Sequence, residues 1–208
     1  MFLSLFNSFA SAKNPPAVVC LQDPPFWRGR LPSFKGFSAF APTAQDRRPR
    51  VAFYVSSVTL QEATVLPVFT DRSDVASLEL HSPNLFGQGA GTLSIINCYS
   101  VWGDRESLHT VAPQHALPTP THPTLVVGDF NIHQPLSDPL RVHSQAELHA
   151  LFLYFLRAAD LSYNMLNTPG VYTRFPLSST LLLRLLPWLP FSSHGKPPSP
   201  QQVWITYP

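Results

Sequence analysis

The stretch Thr124-Leu-Val-Val-Gly-Asp-Phe-Asn-Ile-His133 decides the fold of this chain. Thr124 to Val127 is a short apolar run typical of a buried strand. Gly128 then allows the backbone to turn, and Asp129 and Asn131 follow at the carboxyl end of the strand. Alternation along an extended chain places both side chains on one side, about 6.5–7 Å apart. A carboxylate and a carboxamide so placed can share a divalent cation and a phosphate oxygen.

A bare Gly-Asp-x-Asn is also compatible with a strand followed by an ordinary Asx turn. The longer string Val-Val-Gly-Asp129-Phe-Asn131 resembles the central motif of the endonuclease/exonuclease/phosphatase superfamily. With Thr121-His-Pro-Thr124 ahead of it and Ile132-His133 behind, it is more narrowly similar to the apurinic-type endonuclease domain of LINE-type, non-LTR retrotransposons. Four further stretches follow the order of that family. They are Ala17-Val-Val-Cys-Leu-Gln-Asp-Pro-Pro-Phe-Trp27, Arg50-Val-Ala-Phe-Tyr-Val55, Leu93-Ser-Ile-Ile-Asn-Cys-Tyr99 and Val171-Tyr-Thr-Arg-Phe-Pro176.

The resemblance implies an α/β fold in which a two-sheet β-sandwich is flanked by helices. It implies hydrolysis of a DNA phosphodiester with Mg²⁺, or with Mn²⁺ in its place. On this basis Asp129 and Asn131 are catalytic, and Tyr99 reaches the scissile phosphate. Asp23 stands where the family has a metal-binding glutamate. Aspartate is one methylene shorter, so its oxygens fall about 1.5 Å back and magnesium binding should weaken.

Each of these residues also has an ordinary structural interpretation. Asp23 can simply begin the turn at Pro24-Pro25. Tyr99 can be a half-buried strand-end tyrosine whose hydroxyl contacts solvent. Residues 26–50 form a predicted loop in which several arginines alternate with aromatic residues. This loop can contact nucleic acid through phosphates and bases, or it can cover the edge of a sheet.

Two parts of the family's site have no counterpart in this sequence. The chain begins at what resembles the helix after the first strand, so the first-strand asparagine is missing. Ser193-His194 lacks the aspartate of the terminal Asp-His pair. We therefore expect a family-like domain over residues 1–178, truncated at its first strand and degraded at its C-terminus. Residues 179–208 are expected to be a Leu/Pro-rich tail outside the ancestral fold.

These losses predict a weakly active or inactive endonuclease of retrotransposon origin, because removing one member of a concerted site commonly costs orders of magnitude in rate. Two alternatives remain: a non-catalytic module that binds nucleic acid, and a phosphatase or phosphodiesterase of the same superfamily.

A shift of reading frame would explain the tail. Read from the third base of each codon, the TGG of Trp204 and the AT of Ile205 give GAT, an aspartate codon. The next codon can encode histidine, so the segment can end in the Asp-His that the family has. Only the aspartate is forced. A gene sequence that offers no histidine codon there would exclude this hypothesis.

Composition limits the class of protein. The hydrophobic content of 44% is typical of a globular domain. The net charge of +2 is close to neutral and indicates no broad basic face, so any contact with nucleic acid must be local. The 23 prolines predict loops and short strands. Cys20 and Cys98 lie in apolar runs, which predicts buried free thiols. The N-terminus lacks the positive region of a signal peptide and no segment is long enough for a membrane span, so an intracellular location, nuclear or cytoplasmic, is expected.

The remaining pattern predicts the order of elements. A helix is expected over residues 3–12, and strands over 17–21, 51–55, 65–69, 75–81 and 92–99. A short helix is expected around residues 106–115. Ser144 and Glu147 form a capping box for a longer helix. Its apolar residues recur at helical spacing and are Leu148, Leu151, Phe152, Phe155, Leu156 and Ala159.

Overall fold

A computed structural model of the chain describes residues 17–42, 48–82, 91–99, 113–129, 145–165, 180–183 and 202–207. Within these ranges ten strands form two sheets, with three helices. The strands are β1 (Val18–Gln22), β2 (Phe37–Phe40), β3 (Val51–Ser56), β4 (Thr64–Phe69), β5 (Val75–His81), β6 (Thr92–Tyr99), β7 (Thr124–Asp129), β8 (Tyr163–Met165), β9 (Thr180–Leu183) and β10 (Gln202–Tyr207). The helices are α1 (Ser57–Glu62), α2 (Pro113–Ala116) and α3 (Gln145–Asp160).

The two sheets differ in direction. The four-stranded sheet has the order β2-β3-β1-β9, and its pairings are all antiparallel. The six-stranded sheet has the order β4-β5-β6-β7-β10-β8. Its first three strands form an antiparallel meander, whereas β6, β7, β10 and β8 pair in parallel. Parallel neighbours direct their carboxyl ends to one edge, which brings the ends of β6 and β7 together.

The main core lies between the sheets. It is built from alternate residues of β1 and β3 on one side and of β5, β6 and β7 on the other. Its buried members are Val18, Cys20, Val51, Phe53, Val55, Ala76, Leu78, Leu80, Leu93, Ile95, Leu125 and Val127. The arrangement is an α/β fold with two face-to-face sheets, as the sequence predicts. Both cysteines are buried and free, which confirms that prediction.

Gly128 has a different role from the one predicted. It does not end the strand: β7 continues through Gly128 to Asp129, and Gly128 pairs with Cys98 of β6. A Cβ atom built on Gly128 would overlap the backbone carbonyl group of Cys98. Glycine is therefore needed for the close approach of two backbones, not for a turn.

Helix α3 has the predicted position but buries a different face. Tyr154 and Ala158, one turn apart, are buried against β6 and β7. Phe152, Phe155 and Leu156, which belong to the apolar set that recurs at helical spacing, are exposed. The small side chain of Ala158 and the long one of Tyr154 fit the surface of the sheet, so apolar spacing alone does not identify the buried side.

Several further elements depart from the prediction. Strand β2 lies within the predicted loop of residues 26–50, and α1 was not predicted. The predicted tail contributes β9 beside β1 and β10 between β7 and β8. The tail is thus part of both sheets in this structure, while its place in an ancestral fold stays a prediction. Three predictions fall outside the described residues and side chains. They are the helix over residues 3–12, the capping box of Ser144 and Glu147, and the strand segment 171–176.

Candidate functional site

Three of the four predicted site residues meet at one edge of the sandwich. Asp23 follows the end of β1, Tyr99 ends β6 and Asp129 ends β7. Tyr99 lies in register opposite Asp129 because β6 and β7 are parallel. The carboxylates of Asp23 and Asp129 both act electrostatically on the Tyr99 hydroxyl. Asn131, the fourth predicted residue, lies outside the described part of the chain.

Asp23 is ion-paired with two arginines that precede β3. Its Oδ1 lies 2.9 Å from Nη1 of Arg50 and 3.4 Å from Nη2 of Arg48. The same Arg48 nitrogen donates to the carbonyl oxygen of Pro24 at 2.8 Å. The backbone N–H of Asp23 donates to the carbonyl oxygen of Arg50 at 2.7 Å. Asp23 is therefore held through its main chain and its side chain, and its negative charge is compensated by guanidinium groups.

Asp23 also has an unusual backbone conformation. Its φ of 46° lies in the left-handed region, which aspartate adopts more readily than most residues. The chain consequently turns sharply as soon as β1 ends, and the carboxylate is directed to the arginines. A glutamate at this position would adopt the same backbone less easily, which offers a physical reason for the shorter acid.

Tyr99 links the two sheets at this edge. The guanidinium carbon of Arg50 lies 5.5 Å from the centre of the Tyr99 ring, within the range of a cation–π contact. The backbone N–H of Arg50 donates to the carbonyl oxygen of Ser73 at 2.7 Å. The backbone N–H of Tyr99 donates to the carbonyl oxygen of the next residue in the chain, Asp74, at 2.8 Å. The short segment before β5 thus fixes the distance between an arginine of one sheet and the tyrosine of the other.

The environment raises the pKa of Tyr99. Burial of the hydroxyl is the main cause, followed by the negative charges of Asp23 and Asp129, while Arg50 and Arg48 oppose them. A tyrosine ordinarily ionises near pH 10, so Tyr99 remains protonated at neutral pH. Its hydroxyl can therefore donate a hydrogen bond to a phosphate oxygen.

A buried amide network lies directly beneath the site. Asn97 of β6, two residues before Tyr99, is fully buried. Its Nδ2 donates to the carbonyl oxygens of Leu21 in β1 and Ala52 in β3, each at 3.0 Å. Its Oδ1 accepts from Nε2 of Gln22 at 2.5 Å. Sequence reasoning missed this pair, although a lone asparagine in an apolar strand signals a buried polar group that needs partners.

The donors near Tyr99 are compatible with a weak magnesium site. Magnesium in proteins is commonly held by one or two carboxylates, with water and substrate phosphate completing the octahedron. Asp129 and Asp23 are the two carboxylates, but Asp23 is shared with two arginines. In the described ranges no group of three or more His, Cys, Asp or Glu side chains is placed to hold a metal ion. Substrate oxygens would have to complete the coordination.

No helix among the described residues has the length and apolar character needed to cross a membrane. Comparison with protein-family models gives no match for the chain, and comparison with curated proteins gives none either.

Proposed function

We propose that this chain is a magnesium-dependent DNA endonuclease-like domain of retrotransposon origin, with weak phosphodiesterase activity at most. The observation that supports the proposal is the convergence of Asp23, Tyr99 and Asp129. These residues come from three separate stretches, were selected from the sequence, and meet at one edge of a two-sheet α/β fold. We also propose that this two-sheet α/β fold is the endonuclease/exonuclease/phosphatase fold.

Each residue has a distinct role in this proposal. Arg48 and Arg50 attract a phosphate group, because guanidinium groups match its geometry and charge. The Tyr99 hydroxyl donates to a phosphate oxygen and positions the scissile bond. Asp129 orients the attacking water and accepts its proton as the new bond to phosphorus forms. The bond from phosphorus to the leaving oxygen then breaks, and that oxygen takes a proton from solvent water. A bound Mg²⁺ would add stabilisation of the negative charge on the phosphoryl oxygens.

The arginine pairs on Asp23 add to the reasons for expecting weak activity, which are the missing first-strand asparagine and the missing terminal Asp-His pair. A carboxylate that accepts from one guanidinium at 2.9 Å and lies 3.4 Å from another is less available to a cation. Any metal must compete with both arginines. The same observation favours the second candidate function, a module that binds nucleic acid through its arginines without cleaving it.

Nicking of supercoiled plasmid by purified protein with Mg²⁺ tests the proposal. We expect slow nicking that requires Mg²⁺ and disappears in Asp129→Ala. Tyr99→Phe, which removes only the hydroxyl, should slow nicking at least about tenfold, as expected when a positioned donor is lost. Tyr163→Phe is the matched control, because its hydroxyl donates to the carbonyl oxygen of Pro118 in another part of the fold.

The possible results separate the candidates. Nicking that persists in Asp129→Ala would come from a contaminant or another site and would overturn the assignment. Folded protein that binds DNA but does not nick it would establish the binding module. Hydrolysis of a small phosphomonoester without any cleavage of DNA would instead favour a phosphatase of the same superfamily.

A further inference from the structure

A two-residue β-hairpin follows Asp23. Trp27 and Arg30 exchange both backbone hydrogen bonds, with N–O distances of 3.0 Å. The two residues between them, Arg28 and Gly29, have φ angles of 51° and 76°. Positive φ at both central positions is the pattern of a type I′ turn, which suits tight hairpins. The turn therefore fixes the backbone at Trp27, from which the side chain projects.

The hairpin is anchored on both sides. Before it, the carbonyl oxygen of Pro24 accepts from Arg48 at 2.8 Å. After it, the carbonyl oxygen of Pro32 accepts from the Tyr54 hydroxyl at 2.9 Å. Phe34 is buried against the Tyr54 ring, with ring centres 5.0 Å apart. These contacts tie the hairpin to β3 and to the arginine that also pairs with Asp23.

The tip presents a large aromatic surface. Trp27 is 74% exposed. The guanidinium carbon of Arg28 lies 4.6 Å from the centre of the Trp27 ring, which covers one face of the indole. With so much of the side chain exposed, the other face is open to a flat ligand. Tryptophan is enriched at interfaces, since its burial contributes more than that of most side chains.

The charge around the tip favours nucleic acid as that partner. Residues 24–45 contain Arg28, Arg30 and Lys35 and no aspartate or glutamate. Every nucleobase has a face that can stack on an indole, and the accompanying phosphates are attracted by arginines. An apolar protein partner would gain nothing from the guanidinium group stacked on the indole. A nucleotide uses both features.

We propose that Trp27, supported by Arg28, stacks on an unpaired base next to the phosphodiester bound at the Asp23–Tyr99–Asp129 site. This inference rests on the proposed function and defines its substrate class as DNA with unpaired nucleotides beside the scissile bond. In an intact duplex the bases stack on one another and offer no free face. Trp27 follows Asp23 by four residues, a span of at most about 13–14 Å, so the stacked base and the bound phosphate lie close together on one strand.

Binding of fluorescent oligonucleotides in EDTA tests the inference without hydrolysis. The probes are a single-stranded oligothymidylate, a blunt duplex of equal length and a strand of abasic residues with the same charge. Trp27→Ala should weaken binding of the oligothymidylate by about 5- to 100-fold, the range found when one base-stacking aromatic residue is removed. It should change binding of the duplex and of the abasic strand less than twofold. Phe152→Ala, at an exposed aromatic residue of α3, is the matched control and should alter none of them.

Arg28→Gln should weaken binding of both the oligothymidylate and the abasic strand, because it removes a phosphate contact as well as support for the indole. Oligothymidylate bound equally by wild type and Trp27→Ala would overturn the hairpin inference and leave the proposed function standing. A Trp27-dependent preference for single strands, in protein that never nicks DNA with Mg²⁺, would support the hairpin and establish the second candidate function, a module that binds nucleic acid without cleaving it. No binding to any probe would overturn both.

Discussion

Gln22 and Asn97 join the two sheets by a hydrogen bond between their side-chain amides, with 2.5 Å from Nε2 to Oδ1. Both residues are buried, and each is followed within two positions by a predicted site residue, Asp23 or Tyr99. The site thus lies on an internal polar contact that fixes the relative position of β1 and β6. A change in this contact should affect stability and function together.

Asn97→Ala should destabilise the fold by about 2–4 kcal/mol, because it leaves two carbonyl oxygens and the Gln22 amide without their partner. The free energy of unfolding in urea measures this change. Ser77→Ala, at a partly exposed serine in β5, is the control and should change stability by less than about 0.5 kcal/mol. An Asn97 variant as stable as the control would show that water replaces the amide.

Gly128→Ala should cost about 3 kcal/mol or more, since the added methyl group meets the Cys98 carbonyl in the middle of the sheet. Gly91→Ala is the comparison, because a Cβ atom there meets nothing within 4 Å. We expect its effect to stay within about 1 kcal/mol. Thermal unfolding of the two variants checks the difference. Equal melting temperatures would contradict the close packing of β6 and β7.

Arg48→Gln should strengthen the response to magnesium, because it removes one of the two cations that compete for the Asp23 carboxylate. The measurement is the Mg²⁺ concentration that gives half-maximal nicking, which should fall at least about twofold. Lys35→Gln removes an equal charge from an exposed turn and should leave that concentration unchanged. Higher Mg²⁺ demand in Arg48→Gln would mean that the attraction of Arg48 for the substrate phosphate outweighs its competition with the metal for Asp23.

We expect the protein to lose stability at alkaline pH, because a buried tyrosine ionises there. Burial raises the pKa of Tyr163 to about 12, from an ordinary value of 10, and its hydroxyl donates to the carbonyl oxygen of Pro118 at 3.0 Å. Between pH 10 and 12 the unfolded chain loses this proton while the folded chain keeps it. The free energy of unfolding therefore falls as pH rises through this window. Tyr163→Phe should flatten that part of the curve, and a curve identical to wild type would contradict it.

Phe152→Lys combined with Leu156→Lys should reduce self-association without destabilising the fold. The two residues are 59% and 49% exposed and lie one turn apart on the same side of α3. Removing exposed apolar surface costs little packing and lowers the drive to associate. Light scattering during concentration measures the effect. Loss of stability above about 1 kcal/mol would show that this face packs against other parts of the chain.

Patterns of hydrophobicity predict the bounds of the inner strands well. They do not predict which contacts an individual residue makes. β5 and β6 have the predicted bounds because β5 alternates buried apolar with partly exposed polar residues, whereas β6 is a mostly apolar run that is buried along its length. The helix α1 was missed because it is short and polar, and its visible signal is local: Ser56 Oγ accepts from the Thr59 backbone N–H. Such a cap is common in turns and therefore does not specify a helix.

The residues of the candidate site that belong to a sequence motif could be chosen from the sequence. The contacts that these residues make could not be predicted from it. Asp23, Tyr99 and Asp129 follow from the motif order. The arginine pairs of Asp23 depend on the main-chain bond between Asp23 and Arg50, which brings together residues 27 positions apart. The periodic patterns of a sequence predict helices and strands, but they do not predict a contact between two residues so far apart in the chain. The role of Gly128 was missed for the same reason, because its need for space comes from the neighbouring strand.

Strand β10 determines the order in which this protein can fold. It pairs on one side with β7, where Val203 lies opposite Leu125, and on the other with β8, where Gln202 lies opposite Tyr163. β8 therefore joins the sheet through a strand that comes after it in the chain. Parallel pairing between strands so far apart in the sequence is entropically costly and slow to form. The half of the sheet beyond β7 should assemble last, as a late kinetic phase that follows the fast antiparallel meander.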